Sequence, residues 1–153
     1  MWGSLLIIDH VLSPVSEEIL RAKEHDTLVL TWEQRRWVRG RFTTDKGRKI
    51  GLALPTGTTL APDAILWIEQ DWYLRVEAAT ESVLVILPSD HEEAIKIAFE
   101  VGNRHFPLAV EGQTLRVPDD KAMLRLMDRL GANWERRQTV FNPIGNTESH
   151  RHA

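Results

Sequence analysis

The sequence predicts an α+β protein made of a small all-β N-terminal domain, a ferredoxin-like βαββαβ domain and a mobile C-terminal tail. Residues 5–78 contain short strand-forming runs separated by turn residues, with no convincing helical period. Residues 82–141 alternate instead between apolar, strand-like runs and segments with helical spacing. The last residues hold few side chains that could enter a core. We therefore expect domains at 1–79 and 80–143, followed by a flexible histidine-containing tail at 144–153.

The strands of the N-terminal domain are predicted by six runs rich in leucine, β-branched and aromatic residues. Turn-forming segments such as "TTDKGR" and "PTGTTLAPD" separate them. The six runs are "LLIID" (5–9), "LVLTW" (28–32), "RWVRGRF" (36–42), "KIGLAL" (49–54), "AILWIE" (64–69) and "WYLRVEA" (72–78). The segment "SEEILRAKEH" (16–25) has only a thin apolar face at helical spacing, which predicts a loop or a single turn.

The first half of the second domain is predicted to be a strand followed by a helix. "SVLVILP" (82–88) is a short, continuous apolar run, as expected of a buried strand. Ser89 and Glu92 have the spacing of a capping box, and Gly102 is a suitable stop for the helix. The apolar residues at helical spacing, which we expect to face the core, are Ala94, Ile95, Ala98 and Phe99.

The second half of this domain supplies a hairpin, a helix and a last strand. Residues 107–117 contain two alternating segments around a Glu-Gly pair, which is typical of a β-hairpin. Asp119 or Asp120 is expected to cap a second helix that ends at Gly131. Residues 134–141 can form the final strand. The predicted core face of the second helix consists of Met123, Leu126, Met127 and Leu130.

Composition excludes several classes of function. The chain has 153 residues, a formal net charge of -3 and no cysteine, which excludes disulfides and thiolate ligands and suits a cytoplasmic protein. No apolar run approaches the roughly 18 residues that cross a bilayer, and the N-terminal segment is not typical of a signal peptide. No GxSxG, HExxH or GxGxxG motif is present, so we do not expect an enzyme.

Three histidines are the candidate metal ligands. His105 lies in "GNRHFP" (102–107), between a helix-ending glycine and a Phe-Pro pair that restricts the backbone. His150 and His152 alternate near the C-terminus, where two imidazoles could bind one Ni²⁺, Cu²⁺ or Zn²⁺ ion. The alternative interpretations are an ordinary polar histidine at 105 and a solvated tail. His10, His25 and His91 have no partner at metal-site spacing.

A basic stretch in the first domain is a candidate binding surface. Seven cations occur within fifteen positions, and they could contact an acidic protein or phosphates, or could be solvated charges on a sheet. We expect the neighbouring aromatic residues Trp32, Trp37 and Phe42 to lie in the core. The seven cations are Arg35, Arg36, Arg39, Arg41, Lys46, Arg48 and Lys49.

These motifs together resemble the UreE family of urease accessory metallochaperones. The resemblance includes "GNRHFP" within a βαββαβ pattern, residues 39–66, "WERRQTVFNP" (134–143) and the histidines of the terminus. It implies a homodimeric nickel carrier that works with an accessory GTPase to deliver Ni²⁺ to the urease apoprotein. It further implies that His105 of each chain binds the metal, with His150 and His152 as additional ligands. Zn²⁺ and Cu²⁺ are alternatives at the same site.

The sequence departs from some members of the family in two respects. No H-x-H pair follows the third strand of the second domain, where the sequence is "RVPDDK" (116–121), and the terminus has only two histidines. We therefore expect few ions per dimer. The alternative function is a small nucleic-acid-binding module that uses the basic stretch, although the predicted hairpin lacks the aromatic pair that stacks on RNA bases.

Overall fold

The computed structural model describes residues 5–12 and 14–144, which form ten strands, three α-helices and one short 3-10 helix (Gln34–Arg36). The predicted α+β class is confirmed. Contacts divide the chain into two compact units, with the division between Ala79 and Thr80. None of the described helices is long and apolar enough to cross a membrane.

The first unit contains two three-stranded sheets. One has the order β1-β4-β3 and the other the order β2-β6-β5, and each combines one parallel with one antiparallel pair. Helix α1 (Glu17–Leu20) is a single turn, as predicted, capped by the Ser16 hydroxyl. The strands are β1 (Leu6–Ile8), β2 (Glu24–Leu30), β3 (Arg39–Thr43), β4 (Lys49–Ala53), β5 (Ile65–Ile68) and β6 (Trp72–Ala78).

The first unit has an aliphatic core and, among its described residues, one buried carboxylate. Asp26 is 1% exposed and accepts hydrogen bonds from the Thr44 hydroxyl at 2.6 Å and the Arg48 guanidinium at 2.8 Å. The Arg48 guanidinium also lies 3.7 Å from the centre of the Trp72 ring. These contacts hold the turn between β3 and β4 against β2. The largest buried apolar side chains here include Ile8, Leu28, Leu30, Ile50, Leu54, Leu60, Leu66 and Leu74.

The second unit has the βαββαβ element order that the sequence predicts. Its four strands form an antiparallel sheet in the order β10-β7-β9-β8, which is the arrangement of a split βαβ motif. The hairpin turn contains Gly112 at φ 58°. The elements are β7 (Thr80–Ile86), α2 (His91–Asn103), β8 (Ala109–Glu111), β9 (Thr114–Pro118), α3 (Lys121–Leu130) and β10 (Trp134–Val140).

The helix caps differ in one case from the prediction. Asp90, not Ser89, is the N-cap of α2, since its carboxylate accepts the backbone N–H of Glu93 at 2.8 Å. The Glu93 carboxylate in turn accepts the backbone N–H of Ser89, so the predicted Ser89–Glu92 box was wrong by one position. A carboxylate caps as well as a hydroxyl, and local spacing alone does not choose between adjacent candidates. Asp120 caps α3, and Gly131 ends it at φ 66°.

The buried face of α2 also differs from the prediction. Ile97 and Val101 are the buried residues of this helix, whereas Ile95 is 57% and Phe99 67% exposed. The prediction that Ile95 and Phe99 face the core was therefore wrong. The apolar residues of α2 extend around more of the helix than the sheet and α3 cover. Ile95 and Phe99 lie on the uncovered part and face outward.

Candidate metal centre

His105 lies where helix α2 joins the segment leading to β8. The helix continues through Gly102 to Asn103, so the predicted stop at Gly102 was too early. The backbone N–H of His105 donates to the Gly102 carbonyl at 2.9 Å, and that of Phe106 donates to the Val101 carbonyl at 3.3 Å. This pair of bonds is a Schellman motif, which ends a helix with one left-handed residue.

The left-handed position of this motif is occupied by His105, at φ 61°. Glycine is the usual residue there, because a Cβ makes the left-handed conformation unfavourable. Two contacts hold the junction around the histidine. Phe106 packs against the hydrophobic core of the second unit. The Arg104 guanidinium donates to the carboxylate of Glu100, one helical turn earlier, at 2.6 Å. The backbone of His105 is therefore held on both sides.

The His105 imidazole is exposed to solvent. Within the part of the chain that the structure describes, no hydrogen bond or ion pair occupies its ring nitrogens. A neutral imidazole nitrogen that faces solvent can bind a transition-metal ion. Helix α2, which ends two residues before His105, also presents the exposed side chains of Ile95 and Phe99.

The other predicted ligands, His150 and His152, lie outside the described residues. Within residues 5–12 and 14–144, no group of three or more histidine, aspartate or glutamate side chains is arranged to hold a metal ion. His10 has Asp9 as its partner at 2.7 Å, and the His25 ring stacks on Tyr73 with 5.3 Å between centroids. A single imidazole from one chain is an incomplete ligand set for a transition metal.

The seven cations of the basic stretch do not form one patch. Arg35 is fully buried, Arg48 binds Asp26, and Lys46 binds Glu24 at 2.7 Å. Their roles are structural, because each tethers a loop or a strand. The aromatic prediction was partly wrong too, since Trp37 is 51% exposed.

Both units match one protein family. Residues 8–79 match the N-terminal domain of the UreE urease accessory protein, and residues 81–153 match its C-terminal domain. The chain belongs to the UreE family. It is thus an accessory protein of urease maturation and not an enzyme.

Individual relatives give the same result over most of the chain. A urease accessory protein UreE of Synechococcus sp. (strain JA-3-3Ab) is 36% identical over 125 residues, covering 82% of this chain and 83% of the relative. One of Lysinibacillus sphaericus (strain C3-41) is 29% identical over 148 residues, covering 96% of this chain and 100% of the relative. These matches give no support to the alternative of a nucleic-acid-binding module.

Two features of the region around His105 were not predicted from the sequence. The left-handed conformation of His105 depends on where α2 ends, and a glycine three positions earlier suggested a different end. The outward apolar face of α2 was hidden because Ile95 and Phe99 have the same spacing as a core face. A signal was present, however, since Ile97 and Val101 already supply a second apolar stripe four residues apart.

Proposed function

We propose that this UreE-family chain is a nickel carrier that acts as a homodimer, in which His105 of each chain binds one shared Ni²⁺ ion. The observation that supports it most directly is the exposed imidazole of His105, held at a fixed backbone junction. Imidazole suits Ni²⁺, Zn²⁺ and Cu²⁺, so the choice of nickel rests on the family resemblance. His150 and His152 are proposed as additional ligands.

A homodimer would complete the ligand set that one chain lacks. A two-fold axis brings identical residues together, so a histidine near the axis is presented twice. The exposed side chains of Ile95 and Phe99 supply apolar surface on α2, the helix that immediately precedes this histidine. Clustered large apolar side chains on a surface are typical of protein–protein contacts.

A shell of two imidazoles suits a carrier better than a structural site. A structural zinc site normally has four ligands that the fold holds in place. Two fixed imidazoles leave coordination positions open, and a receiving protein can occupy these before the ion is released. The proposed recipients are the urease apoprotein and its accessory GTPase, in the cytoplasm.

Nickel titration of the full chain, free of any affinity tag, tests this proposal. Calorimetry should give about one tightly bound ion per two chains, and light scattering should give the mass of a dimer. A His105→Ala variant should lose the tight site. Unaltered nickel affinity in this variant would reject the assignment of His105.

The pH dependence of the same titration reports on the ligand type. Protons compete with the ion for imidazole nitrogen, so affinity should weaken progressively as the pH falls from about 7.5 to about 5.5. An affinity that stays constant over this range would exclude histidine as the main ligand and would favour carboxylates.

A further inference from the structure

Strand β3 is an open edge of its sheet. It pairs with β4 on one side, and no other strand among the described residues pairs with it. The backbone N–H of Thr44 donates to the carbonyl of Arg48, and the N–H of Leu54 donates to the carbonyl of Val38. Because hydrogen-bonded residues alternate along an antiparallel pair, the even-numbered residues of this segment bond to β4. It follows that the backbone groups of the intervening odd-numbered residues face the open side of β3. These residues are Arg39, Arg41 and Thr43.

The same residues place their side chains on the outer face of the sheet. Arg39, Arg41 and Thr43 are exposed, and Lys49 lies directly opposite Thr43 on β4. The Lys49 ammonium donates to the Thr43 hydroxyl at 3.1 Å. Within the described part of the chain, none of the three cations forms an ion pair. The edge therefore combines unpaired backbone groups with three uncompensated positive charges.

Apolar surface adjoins this edge. Arg41, Thr43 and Lys49 line a groove of about 490 Å³ together with Leu5 and Phe42. Just before β3, the exposed ring of Trp37 lies 6.4 Å from the ring of Phe42. The outer face is thus cationic, while the Phe42 side offers aromatic surface.

We propose that the open edge of β3 docks an extended segment of a partner protein in which acidic and apolar residues alternate. Such a segment would add a strand to the sheet, with main-chain hydrogen bonds to Arg39, Arg41 and Thr43. Acidic side chains on one face would lie opposite Arg39 and Arg41, and apolar side chains on the other would contact Phe42 and Trp37. This inference does not depend on the nickel site.

A peptide is a better fit than nucleic acid for two reasons. Only a peptide can use the outward N–H and C=O groups of the strand as a ladder, and an edge of this kind recruits strands. The chain as a whole carries a formal charge of -3, which disfavours a polyanion whose charge extends far beyond three cations.

The test uses the full chain and three labelled synthetic peptides of ten residues. One alternates glutamate with valine, and the second alternates lysine with valine. The third has the sequence of the glutamate peptide, but the backbone amides that would donate to β3 are N-methylated. Fluorescence anisotropy should show binding of the first peptide only. Backbone NMR of the full chain should show shifts of the amides of Arg39, Arg41 and Thr43.

Two matched variants distinguish specific binding at the β3 edge from nonspecific attraction to any positive charge on the protein. The double variant Arg39→Ser/Arg41→Ser should weaken binding by about tenfold or more, which corresponds to about 1.4 kcal/mol. The double variant Arg125→Ser/Arg129→Ser removes two exposed cations of α3 and should leave binding unchanged. Both variants retain His105, so nickel binding should persist in each.

Four results would overturn the proposal. They are the absence of binding up to about 1 mM peptide, equal binding of the N-methylated peptide, equal loss in the α3 variant, and tighter binding of a single-stranded RNA of equal charge. The RNA result would assign the edge to nucleic acid. None of them would affect the nickel proposal, since the metal titration is a separate measurement.

Discussion

At the scale of single residues, His105 occupies a position that its backbone conformation would assign to glycine. Its φ of 61° closes a Schellman motif, and a residue with a Cβ is disfavoured there by about 1–2 kcal/mol. Residues held in a sparsely populated conformation are often functional, because the surrounding structure maintains them against a local cost. The histidine is therefore better explained by its side chain than by the stability of the helix end.

Replacement of His105 should separate stability from metal binding. His105→Gly should raise the free energy of unfolding of the metal-free protein by about 0.5–1 kcal/mol. Glycine removes the strain of the left-handed conformation, and this gain is larger than the free-energy cost of the more flexible unfolded chain. His105→Ala retains the strain and should leave this free energy nearly unchanged. Both variants should lose the tight nickel site. Thermal unfolding and nickel calorimetry measure the two effects.

The opposite outcome for His105 would be informative as well. A large loss of metal-free stability in both variants would mean that the imidazole supports the fold. Asparagine is the matched control, because it tolerates the left-handed conformation better than most residues but is a poor transition-metal ligand.

Asp26 is the second residue whose role follows from its contacts. Burial raises the pKa of its carboxyl, but the hydrogen bonds from Thr44, Arg48 and the backbone N–H groups of Thr27 and Lys46 together lower it more, so the pKa lies below the ordinary value. A carboxylate with a lowered pKa in the folded state contributes stability above its ordinary pKa. That contribution is lost as the pH falls through the folded-state value.

The expected effect of Asp26→Asn is a loss of about 2–4 kcal/mol of unfolding free energy at neutral pH, because charge-assisted hydrogen bonds to the β3–β4 turn are removed. The loss should begin to shrink as the pH falls below about 4, where the carboxyl protonates in the unfolded chain, and should vanish as the pH passes below the lower folded-state pKa of Asp26. Urea unfolding at several pH values measures this. Asp71→Asn, at an exposed position, is the control and should change stability by less than about 0.5 kcal/mol.

At the scale of elements, α2 has two apolar faces, and the described part of the chain covers one of them. Ile97 and Val101 pack into the core, while Ile95 and Phe99 face solvent in the isolated chain. Exposed large apolar side chains one turn apart are costly unless a partner covers them. The proposed dimer would cover this face with a second copy of the chain.

Phe99→Asp tests the outward face of α2. The substitution should leave the fold intact, since Phe99 is 67% exposed, but it should convert the dimer to a monomer by placing a charge in the contact. Nickel affinity should fall by about tenfold or more, because the second imidazole is lost. Light scattering and nickel calorimetry give the two readouts.

The control for Phe99→Asp is Ile19→Asp, at an exposed apolar residue of α1 in the first unit. It should keep both the dimer and the nickel site. A Phe99→Asp protein that remained a dimer with full affinity would place the interface elsewhere.

At the scale of the whole molecule, the proposed carrier combines a fixed ligand with terminal histidines. Deletion of residues 146–153 should leave a folded dimer whose shared site binds nickel more weakly, because tethering raises the local concentration of His150 and His152. Release of nickel to a chelator should be faster. Stopped-flow measurement of this release, together with the titration, tests the prediction.

Two outcomes of this truncation would contradict the proposed role of the terminal histidines. Unchanged affinity and unchanged release would mean that they are not ligands. Loss of the dimer would mean that the terminus contributes to assembly. A double variant, His150→Ala/His152→Ala, separates the imidazoles from the rest of the segment.

Much of the fold could be predicted because local pattern decides it. The βαββαβ order follows from alternating runs and helical spacing, and the single turn of α1 follows from its thin apolar face. The N-cap residue of α2 could not be chosen from local spacing alone. Asp90 and Ser89 are adjacent and both can cap, so the choice depends on which one the preceding strand and turn bring to the helix axis.

The chemistry available to this protein follows from its residue types and their order along the chain. Without cysteine, the ligands for a transition metal are imidazoles and oxygens, and "GNRHFP" marks the histidine at a helix end. These properties depend on residue identity and short-range order alone. They would be the same in any arrangement of the elements.

Which residues remain available to a partner depends on how the strands and helices pack. Ile95 and Ile97 are equally apolar, yet Ile97 is buried and Ile95 is exposed. Arg48 and Arg41 are equally basic, yet one is tied to Asp26 and the other lines an open edge. The reason is that burial and charge pairing depend on contacts between residues far apart in the chain, and these arise only when the elements pack.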